Sequence, residues 1–185
     1  MAGDVVMWVA NIGVTIDYIV TAPPNDARFL MDGQCQAEGY GTAGMSFVDP
    51  SVYAAMCDTV VGVYRGQTWG AGAKTWMPNG LGSFVQIGNS NGLVGIVGSG
   101  PLIPIIKNIN GDDASTNLLI TGCDPSGGIT NFMLNCNNQS TNNPTYRTYY
   151  GHTTNNGGLN WIYEGNYFCN NSIETVSAMC FGTWQ

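Results

Sequence analysis

The sequence predicts a mainly β fold with many loops and one short helix. Two of the reasons are compositional. Glycine occurs 26 times and asparagine twenty times, and both tolerate the positive φ of tight turns better than a helix interior. Only 9% of residues are charged while 44% are apolar, against roughly 25% charged in an ordinary soluble domain. The third is pattern: short β-branched and aromatic runs alternate with turn residues along most of the 185 positions, as in β-rich domains. A helical bundle and a disordered tail are both excluded. The length suits one domain or two small ones.

The elements follow in order. Val5-Val6-Met7-Trp8-Val9 is a buried strand. Residues 14–20 alternate Val14, Ile16, Tyr18 and Val20 against Thr15, Asp17 and Ile19 and read as a second strand. Pro23-Pro24-Asn25-Asp26 is a turn, and residues 28–31 form a short strand ending at Asp32-Gly33. A helix is expected over about 50–61. Asp49 caps it, Pro50 takes the first helical position, Val52, Tyr53, Met56 and Val60 share one face, and Gly62 closes it. Glycine and asparagine then interrupt the chain every few residues up to Gly88. Strand character returns at residues 93–97, 102–106 and 118–120, and residues 137–143 are almost pure polar turn. This divides the chain into segments 3–90 and 91–185. No fixed-period repeat is visible.

Charge narrows the function. The net charge is −7, and Arg28, Arg65, Lys74, Lys107 and Arg147 are the only cations. Five scattered cations make no phosphate-neutralising patch, so neither nucleic acid nor an anionic membrane surface is an expected partner. No run of about 18 apolar residues would insert in a bilayer. Met1-Ala2-Gly3-Asp4 lacks the basic start of a secretory signal, which suggests unconventional export or, as the preferred reading, a segment of a longer chain.

The six cysteines are Cys35, Cys57, Cys123, Cys136, Cys169 and Cys180. None forms a Cys-x-x-Cys pair and the single His152 has no cysteine nearby, so no metal site is expected. Disulfides in an oxidising compartment are expected, with buried free thiols as the alternative. Six cysteines allow fifteen connectivities. The sequential set Cys35–Cys57, Cys123–Cys136 and Cys169–Cys180 closes the shortest loops.

Gly3-Asp4-Val5-Val6-Met7-Trp8, the Pro23-Pro24 turn, Phe29-Leu30-Met31-Asp32-Gly33-Gln34, Ser51-Val52-Tyr53-Ala54-Ala55-Met56, Tyr64-Arg65-Gly66 with Gly70-Ala71-Gly72, and Thr75 to Phe84 occur in that order. Together, residues 3–88 resemble the phage tail collar domain family, found near the ends of short tail fibres. Asn79 stands where that family usually has Asp, the Arg expected near residues 81–83 is missing, residues 35–50 look like an insertion, and the His-x-His element that often follows is absent. The resemblance implies a homotrimeric, extracellular fibre tip on a virion or a cell, with residues 91–185 as a distal receptor-binding head.

Within that head, Tyr146, Tyr149, Tyr150, His152, Asn160, Trp161, Tyr163 and Glu164 combine flat rings with amide and carboxylate groups. Rings stack on the C–H faces of sugars while polar side chains bond the hydroxyls, so these residues are the candidate ligand site. The alternative is that the rings form a small core. Residues 3–20, which would join a shaft, are expected to lie far from the site. Catalysis is not expected: Ser126 is not in a nucleophile elbow, and Glu164 and Glu174 would need to approach within roughly 5–10 Å to act as a glycosidase pair. Asp112-Asp113 lacks the oxygen spacing of a calcium loop, and no cofactor is expected. The function read from sequence is therefore non-enzymatic recognition of a bacterial surface glycan. A structural trimerisation or capping module is the second reading, and a polysaccharide-degrading enzyme the third.

Overall fold

A computed structural model describes residues 1–57, 73–80, 82–89, 103–114, 118–124, 135–153 and 162–185. These residues build a mostly β molecule of two mixed sheets with few helices. The first sheet has the order β3-β10-β1-β4-β5, with β1 Val5–Val9, β3 Tyr53–Ala54, β4 Lys74–Pro78, β5 Phe84–Asn89 and β10 Met179–Thr183. The second has the order β2-β9-β6-β7-β8, with β2 Val14–Thr15, β6 Leu118–Ile120, β7 Arg147–His152, β8 Gly165–Phe168 and β9 Thr175–Ser177. Each sheet therefore draws strands from both sides of residue 90, which itself lies outside the described residues.

β1 is central to the first sheet. It pairs antiparallel with β10, Val5 opposite Thr183, and parallel with β4. All five of its residues are buried, which explains an unbroken apolar run where a half-exposed strand would alternate. Val6 and Trp8 join a core shared with the helices, while Val5, Met7 and Val9 face a second core with Met77, Ile87, Leu119 and Phe181. The chain ends meet beside it, Gly3 N–H donating to Trp184 C=O at 2.9 Å.

Three expected elements are corrected. The strand over 14–20 survives only as β2. Thr15 then caps helix α1, Ile16–Thr21, by accepting the Tyr18 N–H, and Ile16, Ile19 and Val20 turn inward at helical spacing. The strand expected at 28–31 is instead part of a helix, α2, Ala27–Gly41. Asp26 caps it by accepting from the Arg28 and Phe29 N–H groups, and Ala27, Met31, Cys35 and Gly39 form its buried stripe. Gly39 permits the close approach, since a Cβ there would meet Val52 Cγ1 at 3.1 Å and Trp8 Cη2 at 3.3 Å.

The helix at about 50–61 is also not formed where the chain is described. Residues 53–54 pair with β10, and the Tyr40 hydroxyl accepts the Ser51 and Val52 N–H groups. Sheet pairing, and the Ala54 N–H donated to Asp32 Oδ1 at 2.8 Å, take backbone groups a helix would need. The remaining residues of that expected helix, 58–61, lie outside the described residues, as do the expected strand at 93–97 and the glycine stretch from Tyr64. Of the expected strand at 102–106, residues 103–106 are irregular, though Ile105 is buried.

All six cysteines are paired, as Cys35–Cys180, Cys57–Cys123 and Cys136–Cys169. This corrects the sequential set. The pairs follow spatial neighbours made by the sheets: Cys35 on α2 meets β10, and Cys57 is held beside Cys123 by its N–H to Thr121 C=O at 2.8 Å. Cα separations of 5.4, 5.1 and 5.6 Å lie within the disulfide range. No helix among the described residues is long and apolar enough to cross a membrane. Three disulfides point to an oxidising, extracytoplasmic compartment.

Candidate functional site

The chain approaches β7 through a left-handed helical turn. Cys136, Asn137, Asn138 and Gln139 have φ of 53°, 50°, 63° and 63°, a conformation that asparagine tolerates better than most residues. The Asn135 carboxamide oxygen accepts the Asn138 N–H, and Cys136–Cys169 bolts this turn to the residue after β8. Asn142 Nδ2 donates to Asp17 Oδ1 at 2.9 Å, and Asp17 N–H donates to Asn171 C=O. Asp17 thus lies at the base of the β7–β8 pair. The expectation that residues 3–20 would lie far from it is corrected at Asp17, which bonds the segments before β7 and after β8, although β2 itself is at the opposite edge of that sheet.

β7 and β8 pair antiparallel, Arg147 opposite Phe168 and Tyr150 opposite Gly165, with β8 at the sheet edge. Alternation divides the side chains between two faces. On one, Tyr150 stacks on Tyr167 with centroids 4.6 Å apart and 19° between planes. Gly165 makes room for this ring, since a Cβ there would sit 2.8 Å from the Tyr150 hydroxyl oxygen. The Tyr150 phenol is held above its usual pKa, first by burial and then by Tyr167 and the carboxylates of Glu164 and Glu174.

On the other face, the Arg147 guanidinium lies 4.3 Å from the Phe168 ring centre and donates to Asn166 Oδ1 at 2.7 Å. Tyr149 is buried there, its ring edge-on to Tyr163 at 5.1 Å. Phe168 stays 47% exposed.

The structure therefore brings most of the sequence-derived residues together, in unequal roles. Tyr146 packs partly buried against the core that holds Ile16 and Ile19, and Tyr149 is core. Tyr150, Tyr163 and His152 are half-buried, and Glu164 is exposed, its N–H donating to Tyr150 C=O at 2.7 Å. Asn160 and Trp161 lie outside the described residues. Sequence reasoning missed Arg147, Asn166 and Phe168. Their signal was the two-residue period of β8, which puts 166 and 168 on one face opposite 149 and 147.

Among the described residues no group of three or more His, Cys, Asp or Glu is placed to hold a metal ion. Neither the known family models nor the curated proteins contain a match to this chain.

Proposed function

We propose that the chain is the recognition tip of an extracellular fibre, a homotrimer that binds a bacterial surface glycan without catalysing its breakdown. The observation that carries this reading is the edge pair β7–β8, where a ring, a guanidinium, an amide and a nearby carboxylate share an accessible strand pair. Such a set offers stacking and hydrogen bonds together. The collar resemblance of residues 3–88 and the three disulfides support an extracellular fibre context.

Light scattering and a glycan array of bacterial surface polysaccharides test it. The expected species has three times the 19.7 kDa chain mass, and a single-chain mass at micromolar concentration refutes the trimer. The array is expected to show a preferred glycan whose binding drops at least tenfold in Phe168→Ala. A folded trimer that binds nothing on the array is instead a capping module. Release of reducing ends from any polysaccharide assigns an enzyme.

A further inference from the structure

The chain leaves the first sheet at the end of β1 and enters the second at β2. Beside that crossing lies an open cleft of about 450 Å³, within the roughly 300–1,000 Å³ typical of small-molecule sites. Its polar lining includes Asn11, Asn108, Asp113, Thr175 and Ser177. We infer that this cleft binds a neutral, hydroxyl-rich ligand of monosaccharide size.

The walls are fixed before any ligand arrives. Asn108 acts as a strut: its Nδ2 donates to Asn11 Oδ1 at 2.8 Å and to Asp112 Oδ2 at 3.3 Å, and its Oδ1 accepts the Asn110 and Asp112 N–H groups. The Asn11 N–H donates to Glu38 Oε1 at 2.7 Å, which ties this wall to α2. Opposite, the Ser177 hydroxyl donates to Ile12 C=O. Two groups remain for a ligand, the Asn11 Nδ2 and the Thr175 hydroxyl, neither of which has a partner among the described residues.

Ligand class follows from the donor set. The lining leaves one amide, Asn11, and one hydroxyl, Thr175, to a ligand, with the half-buried Leu118 for C–H contact. The carboxylate of Asp113 disfavours an anion. A hard divalent cation takes 6–8 oxygen ligands, usually with several carboxylates, which this lining does not supply. A neutral polyol uses both groups that remain: the Thr175 hydroxyl oxygen accepts from its hydroxyls while the Asn11 amide donates.

The cleft is independent of the β7–β8 face. It sits at the β2–β9 side of the second sheet, and β8 is the opposite edge. Gly13 lines it, and a Cβ there would meet only Thr175, at 3.9 Å, so a larger side chain enters the space without displacing the backbone.

Saturation-transfer NMR with the methyl glycosides of glucose, mannose, galactose and N-acetylglucosamine tests this, with glucuronate as the anionic control. At least one neutral glycoside is expected to show transfer that Gly13→Leu weakens at least tenfold. The isosteric Thr175→Val, which alters one exposed hydroxyl, is expected to weaken it about threefold, and Phe168→Ala to weaken it less than Gly13→Leu does. The inference is overturned if no neutral glycoside binds, if glucuronate binds best, or if folded Gly13→Leu binds like the parent. Binding abolished by EDTA assigns a cation site instead. Equal loss in Phe168→Ala and Gly13→Leu refutes a cleft separate from the β7–β8 face, so the two readings fail separately.

Discussion

Phe168 and Tyr150 sit on adjacent strands yet call for different substitutions. Phe168 is exposed and its contact with Arg147 is solvated, so Phe168→Ala is expected to change the melting temperature little. Loss of the ring should weaken glycan binding at least tenfold, about 1.4 kcal/mol; parent-like binding on the array would move the site away from β8. Tyr150 is wedged between Tyr167 and Gly165, so truncation to alanine would confuse folding with binding. Its hydroxyl gives a cleaner handle. The folded-state pKa lies above the unfolded value of 10.0, so the folded protein holds this proton more tightly than the unfolded chain does. The stabilisation is complete below about pH 10 and is lost as pH rises through the folded pKa. Melting temperature should therefore fall more steeply from about pH 9 to 11 in the parent than in Tyr150→Phe; superimposable profiles would refute the assignment.

Helix α2 shows how local signals can mislead at the scale of an element. Its cap, Asp26, follows two prolines and looks like part of a turn. Its buried stripe of Ala27, Met31, Cys35 and Gly39 is small and hardly apolar at one end. Gly33, Gly39 and Gly41 lower intrinsic helix propensity further, while packing on Trp8 and Val52 overrides it. Asp26→Ala should cost about 1 kcal/mol, measured as a shift in the urea midpoint. Gly39→Ala should also destabilise. The gain of about 1 kcal/mol in helix propensity is outweighed by crowding against two buried, stiff side chains, which typically costs about 1–3 kcal/mol. A stabilised Gly39→Ala would show that Val52 can yield. By contrast, β1 was legible because both its faces are buried and every residue is apolar. At the candidate site, the region was legible but not the roles of its rings. Which ring faces solvent depends on the pairing of β7 with β8, and a one-residue slip exchanges the faces. That pairing is set across a connection the local sequence does not encode.

Across the whole molecule, the disulfides divide the work between the two sheets. Cys35–Cys180 spans 145 residues and staples α2 to β10, whereas Cys136–Cys169 spans 33 and staples the left-handed turn to the end of β8. Sequence could count the cysteines but not pair them, because Cys35 meets Cys180 only once the terminal strands lie side by side. Chain-entropy reasoning gives about 5 kcal/mol for the long loop and about 4 for the short one, since the cost grows only with the logarithm of length. Both are large beside a total stability of about 5–15 kcal/mol, so stability alone will barely rank the two bridges. Position separates them. Both bridges are buried in one core, but Cys35→Ala/Cys180→Ala loosens α2 from β10 and leaves the turn before β7 pinned, so stability and glycan binding should be lost together as the temperature rises. Cys136→Ala/Cys169→Ala frees a turn of four residues with positive φ, a conformation that costs roughly 1–2 kcal/mol per residue for L-amino acids and is retained here by the bridge. That turn should relax, and glycan binding should fall at least tenfold at a temperature where circular dichroism still reports a folded protein. Binding that persists until global unfolding in the second double variant would show that Asn135, Asn142 and the sheet pairing hold the β7–β8 base without the bridge.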